Sequence, residues 1–339
     1  MAELPPEETG IVSKEKPVTQ EKTTPTVNIL SKGEPMSQVA TIPSKKGLDL
    51  ARSGLPNIGN SCYMNACIQA LRTIKPFMSM LSVQENVWAN CDEAELLRQL
   101  KTLADVPYSS EHVHMTALAW SFKVAVAQQA PIFGDFQQQD AHELLMSLME
   151  QIQSFAPILD VFAFSLETSY VCPVKEHMRF QMETTRTCKS YGQMYSGIIP
   201  VLSLDLSSGR SIRKLLAHHL RELEYRCECG STLSGQTACI ATLPNVLILH
   251  LKRFSYDSQF RMEKVMHRIQ LDEDLVIQSK QKAGCFKLVS IISHLEYSAD
   301  HGHYICDGLG PDNSPLQPKE TWLTYDDLHV TKTSAQDIC

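Results

Sequence analysis

Residues Gly54–Leu71 read GLPNIGNSCYMNACIQAL, a Gly- and Asn-rich turn that runs straight into a helix, with Cys62 at the junction. After Cys62, the residues Met64, Cys67 or Ile68, Leu71 and Ile74 recur at helical spacing and form one apolar face. A thiol at a helix N-terminus sees the positive end of the macrodipole, which favours the thiolate, the reactive form. Gly54 and Gly59 permit a sharp turn and a close backbone approach to a bound chain. Asn57, five residues before the cysteine, is placed to aim an amide donor at an oxyanion beside the Cys62 backbone N–H. Taken alone, the segment suits a buried structural cysteine at a helix start as well as a nucleophile.

Outward from this segment the chain changes character. Residues 1 to about 50 are rich in Pro, Thr, Glu, Lys and Ser and poor in aromatics. Such a leader cannot bury enough apolar surface to offset its ordering entropy, so it is expected to be disordered, with one folded domain over 51–335. A helix is expected over about Gln137–Ser154, with Ala141, Leu144, Leu145, Leu148 and Ile152 as its apolar stripe and Asp135 with Gln138 capping its start. Weaker helical patterns cover Glu93–Ala104 and Met115–Gln129. From Val161 onward, short runs of β-branched and aromatic residues alternate with turn residues. Strands are expected at Val161–Ser169, Val201–Leu206, Asn245–Phe254, Phe286–Tyr297, His303–Gly308 and Thr321–Tyr325. Helices first and strands later imply an α+β fold with a cleft between the halves.

Near the C-terminal end, HGHYICD (His301–Asp307) and TWLTYDD (Thr321–Asp327) read as adjacent strands that bring His303 and Asp326 together. A thiol hydrolase needs that pairing, a base that takes and returns a proton and an acceptor that fixes its tautomer. His301 reads as a solvent-facing neighbour. Cysteine early and histidine late is also the chain order of papain-like enzymes.

Composition narrows the class. A net charge of −7 without a basic stripe argues against nucleic-acid binding. The start lacks the pattern of a secretory signal, and no run approaches the roughly 20 apolar residues that span a bilayer. The 11 cysteines are therefore expected to be reduced thiols in a cytoplasmic or nuclear protein.

Beyond these readings, the motifs carry a resemblance. GLPNIGNSCYMNACIQAL, FQQQDAHELLMSLME, LPNVLILHLKRF and SHLEYSADHGHYICD with WLTYDDLHV resemble, in order, the cysteine, glutamine/aspartate, central-strand and histidine boxes of the ubiquitin-specific protease family. They cover about Gly54–Thr331, and details such as LEYRCECG are nearest its ubiquitin carboxyl-terminal hydrolase 37 subgroup. The resemblance implies a papain-like scaffold with a thumb at about 54–160 and fingers and palm at about 161–335. It implies hydrolysis of the isopeptide bond after the C-terminal glycine of ubiquitin, with ubiquitin and ubiquitinated proteins as partners. Cys62 then matches the nucleophile, His303 the general base, Asp326 the residue orienting it, and Asn57 the oxyanion position. Asp140 and Glu143 match acidic residues that pair with arginines of the ubiquitin tail through charge-assisted bonds. Two alternatives stand beside this reading, a catalytically weak or inactive ubiquitin-binding scaffold and an enzyme for another ubiquitin-like modifier.

Some positions depart from the family pattern. Ser61 replaces the usual threonine, and Asp327 is placed to share the orienting role. The zinc knuckles are degenerate: Tyr191 stands where the partner of Cys188 belongs, and Cys227-Glu-Cys229 is one residue short. No metal or cofactor is therefore expected, although Cys172 could complete a set with Cys188, Cys227 and Cys229. The final palm strand, with a Tyr-x-x-Phe-Tyr-like run, is missing, which is expected to expose a sheet edge.

Overall fold

A computed structural model describes residues 24–32, 53–105, 112–172, 177–184, 201–220, 223–225, 234–256, 258–296, 301–310 and 321–338. Among the described residues, a first strand, β1 (Thr24–Lys32), is followed by the α-helices α1 (Cys62–Thr73), α2 (Lys75–Val83), α3 (Glu85–Trp88), α4 (Glu95–Asp105), α5 (His112–Gln129), α6 (Ala141–Gln151) and α7 (Ala156–Leu159). The second half is mostly strand: β2 (Ser165–Cys172), β3 (His177–Thr184), β4 (Val201–Asp205), β5 (Leu223–Tyr225), β6 (Ser234–Thr242), β7 (Val246–Lys252), β8 (Phe254–Tyr256) and β9 (Met262–Lys264). It continues through β10 (Asp274–Gln278), β11 (Ala283–Leu295), β12 (His303–Leu309), β13 (Trp322–Asp326) and β14 (His329–Thr333), with α8 (Ile212–His219) after β4 and α9 (Ala335–Ile338) at the end.

The main sheet runs β14-β13-β12-β11-β1-β7-β4, with β10 on the same edge of β11 as β12. The strands β3-β2-β6-β5 make a separate four-stranded sheet, and β8-β9 a small hairpin. Helices cover one face of the main sheet, and α8 with the β10 region covers the other. The run VLILHLK of β7 shows why both faces are dry. Val246 and Ile248 pack with the helices, whereas Leu247, Leu249 and Leu251 pack with the opposite cluster.

Helix α1 is buried all along Cys62–Leu71 and lies across β11, β12 and β13. A helix buried this completely holds Cys62 rigidly, because any tilt would open voids on several sides. Helix α6 buries the expected stripe of Ala141, Leu144, Leu145, Leu148 and Ile152. It starts four residues later than expected, at Ala141, with Asp140 as its cap; Asp135 instead accepts a bond from the Gln137 amide.

The leader does not hold as a uniformly disordered stretch. Residues Thr24–Lys32 form β1, hydrogen-bonded to β11 on one side and β7 on the other. Val27 and Ile29 are wholly buried on the helix side, and Leu30 faces the other cluster. Each such side chain contributes about 1.5–3 kcal/mol of burial, enough for nine residues to overcome a leader that is polar on average. Pro25 lacks a donor and lies where the β1–β11 register slips, so no ladder bond is wasted on it. Strand β1 lies between β7 and β11, so this early segment sits inside the main sheet, whose outer strands are β14 and β4.

Candidate active site

The site lies where the N-terminus of α1 meets the ends of β12 and β13. Upstream of Cys62 the turn is held by its own side chains. Asn57 Oδ1 accepts from the Gly59 and Ser61 amides, both at 3.1 Å, and Ser61 Oγ accepts from the Ile58 amide at 2.9 Å. Gly54 permits a close approach of backbone to backbone. A Cβ there would collide with the Asp327 carbonyl oxygen, and the next amide, of Leu55, donates to that same oxygen at 2.9 Å. The turn before the nucleophile is thereby fastened to the turn after β13.

His303 opens β12, just beyond the paired part of β12 and β13. Its Nε2 lies 2.6 Å from Asp326 Oδ1, which leaves Nδ1 for Cys62. A hydrogen bond with Cys62, and then one with Asp326, raise the His303 pKa to about 9 against the cost of burial. The ring is therefore an imidazolium at neutral pH, held between the Cys62 sulfur and the Asp326 carboxylate. Cys62 is 1% exposed, whereas the Asp326 side chain is 52% exposed, so the cleft opens on the carboxylate side.

The loop before His303 is gripped from two directions. Gln138 brackets Gly302: its amide oxygen accepts from the Gly302 N–H at 3.1 Å, and its amide nitrogen donates to the Gly302 carbonyl. The His294 ring lies against the other side, where a Cβ on residue 302 would collide with Nε2. The sequence pattern places Gln138 only as a helix cap. The signal for its role is its place in the FQQQDAHELL run, and its partner is 164 residues away.

The remaining expected residues are nearby. Asn57 is exposed beside the Cys62 turn, with its amide nitrogen donating to Asp327 Oδ2 at 2.9 Å. An amide nitrogen carries two hydrogens, so one stays available to an oxyanion. Asp327 also accepts from Asn65 of α1 at 2.7 Å, so it supports the turn rather than sharing the histidine. Asp140 caps α6 through the Glu143 amide at 2.9 Å and accepts from the Tyr304 hydroxyl at 3.0 Å. Glu143 is exposed one turn on, its pKa raised by desolvation and then by the Asp140 charge. Together they place two carboxylates at the start of α6. His301 is exposed, as expected.

Among the described residues, the metal-capable grouping is His303, Asp326 and Asp327, whose ligand atoms lie within 4.8 Å of one another. His303 Nε2 and Asp326 Oδ1 already bond to each other, and Asp327 accepts from Asn57 and Asn65. Cys188, Tyr191, Cys227 and Cys229 lie outside the described residues, and Cys172 ends β2. No helix among the described residues is long and apolar enough to cross a membrane.

The family model for ubiquitin carboxyl-terminal hydrolase matches residues 53–338. The chain belongs to the ubiquitin carboxyl-terminal hydrolase family. It is 26% identical over 283 residues to human ubiquitin carboxyl-terminal hydrolase 29, covering 74% of this chain and 30% of that protein. It is 31% identical over 232 residues to human ubiquitin carboxyl-terminal hydrolase 37, covering 60% of this chain and 23% of that protein. The chain thus spans less than a third of the length of these relatives. Among solved structures it is similar to the SAGA Ubp8/Sgf11/Sus1/Sgf73 DUB module bound to ubiquitin aldehyde, with a TM-score of 0.70 and 20% identity over 88% of this chain and 69% of that one. The same module described without ubiquitin gives a TM-score of 0.68 at 21% identity, covering 88% and 67%. The fold is accordingly the papain-like α+β arrangement of this family, in which the helical half carries Cys62 and the main sheet carries His303 and Asp326. The family match starts at residue 53, so β1 lies outside it.

Proposed function

We propose that this chain is a cysteine-dependent deubiquitinase that cleaves the isopeptide bond after the C-terminal glycine of ubiquitin. The observation that carries this reading is the continuous line from Cys62 through His303 to Asp326, with the imidazole hydrogen-bonded on both sides. Relatives named ubiquitin carboxyl-terminal hydrolases, and a fold neighbour bound to ubiquitin aldehyde, support ubiquitin as the substrate.

In this mechanism the Cys62 thiolate attacks the carbonyl carbon of the terminal glycine. The oxyanion accepts from the Cys62 backbone N–H and from the free N–H of the Asn57 amide. The His303 proton passes to the leaving lysine amine and the C–N bond breaks, leaving a thioester on Cys62. His303, now neutral, takes a proton from water as that water attacks the thioester, and the ubiquitin carboxylate leaves while Cys62 is regenerated. Asp326 keeps Nδ1 facing the sulfur throughout. Asp140 and Glu143 offer carboxylates to arginines of the incoming tail.

The alternative, a catalytically weak or inactive ubiquitin-binding scaffold, draws on the degenerate zinc knuckles at Cys188, Tyr191, Cys227 and Cys229. The hydrogen-bonded line from Cys62 through His303 to Asp326 favours the active reading. The test is hydrolysis of a fluorogenic ubiquitin C-terminal reporter by wild type and by Cys62→Ala. Turnover that depends on Cys62 is expected, and equal rates would refute the assignment. Labelling with an electrophilic ubiquitin probe separates the alternatives, because a binding scaffold would hold ubiquitin without forming the adduct.

A further inference from the structure

Strand β1 does more than fill space. Its first residue, Thr24, pairs with His294 of β11, and the Thr24 hydroxyl donates to the His294 carbonyl at 2.7 Å. Two residues on, the Thr26 hydroxyl donates to the Ile292 carbonyl at 3.0 Å. Both threonines are 3% exposed. Buried hydroxyls aimed at the partner strand's carbonyls hold it more firmly than valines of the same shape would.

The end of β11 that they hold is the end that faces the catalytic loop. His294 pairs with Tyr304, and Leu295 with His303. The His294 ring packs 4.7 Å from the Tyr304 ring and lies against Gly302. Lys264, on the β8–β9 hairpin, adds a second restraint, reaching His294 Nδ1 at 2.6 Å and its carbonyl at 3.1 Å. His294 is 3% exposed and is thus held by β1, by the hairpin and by the catalytic loop at once.

We propose that β1 is a positioning element for the catalytic base: Thr24 and Thr26 fix the His294 end of β11, and His294 in turn fixes Gly302 and His303 opposite Cys62. Because β1 lies outside residues 53–338, the family domain of this protein depends on a segment beyond its own boundary to set its histidine. The proposal uses the deubiquitinase reading for one readout only.

The test uses the full chain with Thr24→Val combined with Thr26→Val, which keeps side-chain shape and β-propensity. Thr24→Ser serves as the conservative control. Three quantities are measured: reporter kcat and KM, the pH dependence of iodoacetamide alkylation at Cys62 followed by peptide mapping, and the melting temperature. The double variant is expected to lose roughly tenfold in kcat with KM changed less than about twofold. Its alkylation profile should shift, because the imidazolium facing the sulfur is displaced, while Thr24→Ser stays near wild type. An unchanged alkylation profile overturns the proposal, whether or not the melting temperature falls, since a purely structural role would move stability alone. If wild type does not turn over ubiquitin but its alkylation profile still shifts in the double variant, the deubiquitinase reading fails and the positioning role stands.

Discussion

Asp326 and Asp327 are consecutive, yet their carboxylates serve opposite sides of the cleft. Asp326 Oδ1 holds His303 at 2.6 Å, while Asp327 accepts from Asn57 at 2.9 Å and from Asn65 at 2.7 Å. The division comes from the backbone. Asp326 is the last residue of β13, and Asp327 enters the turn with a φ of 51°, a left-handed conformation that Asp tolerates better than most residues. One carboxylate therefore tunes the base and the other braces the nucleophile turn.

Substitution should separate these roles. Asp326→Ala is expected to lower kcat by about 10²–10⁴-fold with little change in KM, because it removes the group that sets the imidazole tautomer. Asp327→Ala leaves His303 paired but releases Asn57 and Asn65. It is expected to cost about 1.5–3 kcal/mol of stability, seen as a lower melting temperature. Reporter kinetics and thermal melts of both variants check this. Equal kinetic defects would mean that the two carboxylates are interchangeable.

The pH dependence of His303 has a definite sign. Its pKa rises from 6.5 to about 9 in the folded protein, through Cys62 first and Asp326 second. The stability of that pairing is fully present below pH 6.5 and is lost as pH rises through about 9. Reporter kcat/KM should show an alkaline limb near pH 9, and Asp326→Asn should move it to lower pH. A limb that stays in place in Asp326→Asn would remove Asp326 from the titrating unit.

His142 and His250 stack with centroids 3.6 Å apart, and both are kept neutral. Burial comes first, and repulsion from Lys252 and from any proton shared with the stacked His142 adds to it, lowering the His250 pKa to about 3. A histidine depressed from 6.5 stabilises the fold above that pH and withdraws this contribution progressively as pH falls toward 3. The melting temperature should therefore drop between pH 6.5 and about 4, and His250→Phe, which keeps a flat ring against His142, should flatten that slope. An unchanged slope would place the acid sensitivity elsewhere.

Asp307 behaves in the opposite sense. It is 5% exposed, and burial raises its pKa from 3.8 to about 6, against the pull of the Thr324 hydroxyl bonded to it at 2.6 Å. The unfolded chain releases this proton more readily, so the group costs stability as pH rises from 3.8 to 6 and at every higher pH. Asp307→Asn is expected to stabilise the protein by about 3 kcal/mol at about pH 7.5, with the gain vanishing by about pH 4. Denaturant midpoints at the two pH values decide the matter, and a gain of equal size at both would point to packing instead of charge.

Much of the site is legible in the sequence. Cys62, His303, Asp326 and Asn57 lie in short motifs whose local geometry follows from helix-start and strand patterns, and the structure brings them into one cluster. The β7, β11, β12 and β13 strands fall within a few residues of their expected spans. Other features are not legible there, for identifiable reasons. The nine residues of β1 are averaged into a polar leader, and Gln138 sits beside a plausible helix start that hides its bonds to Gly302. Asp327 separates from Asp326 only through the conformation of a turn.

What the sequence by itself determined is local: the elements set by hydrophobic period, the helix that presents Cys62, and the chemical types of the groups in the cleft. Tertiary structure decided which distant groups share a bond. Thr24 and His294 are 270 residues apart and Gln138 and Gly302 are 164 apart, and neither pairing leaves a periodic trace in the chain. The physical reason is that strand order and side-chain bracketing are settled by burial and backbone hydrogen bonding across the whole sheet. A short apolar run does not encode which neighbour will satisfy it.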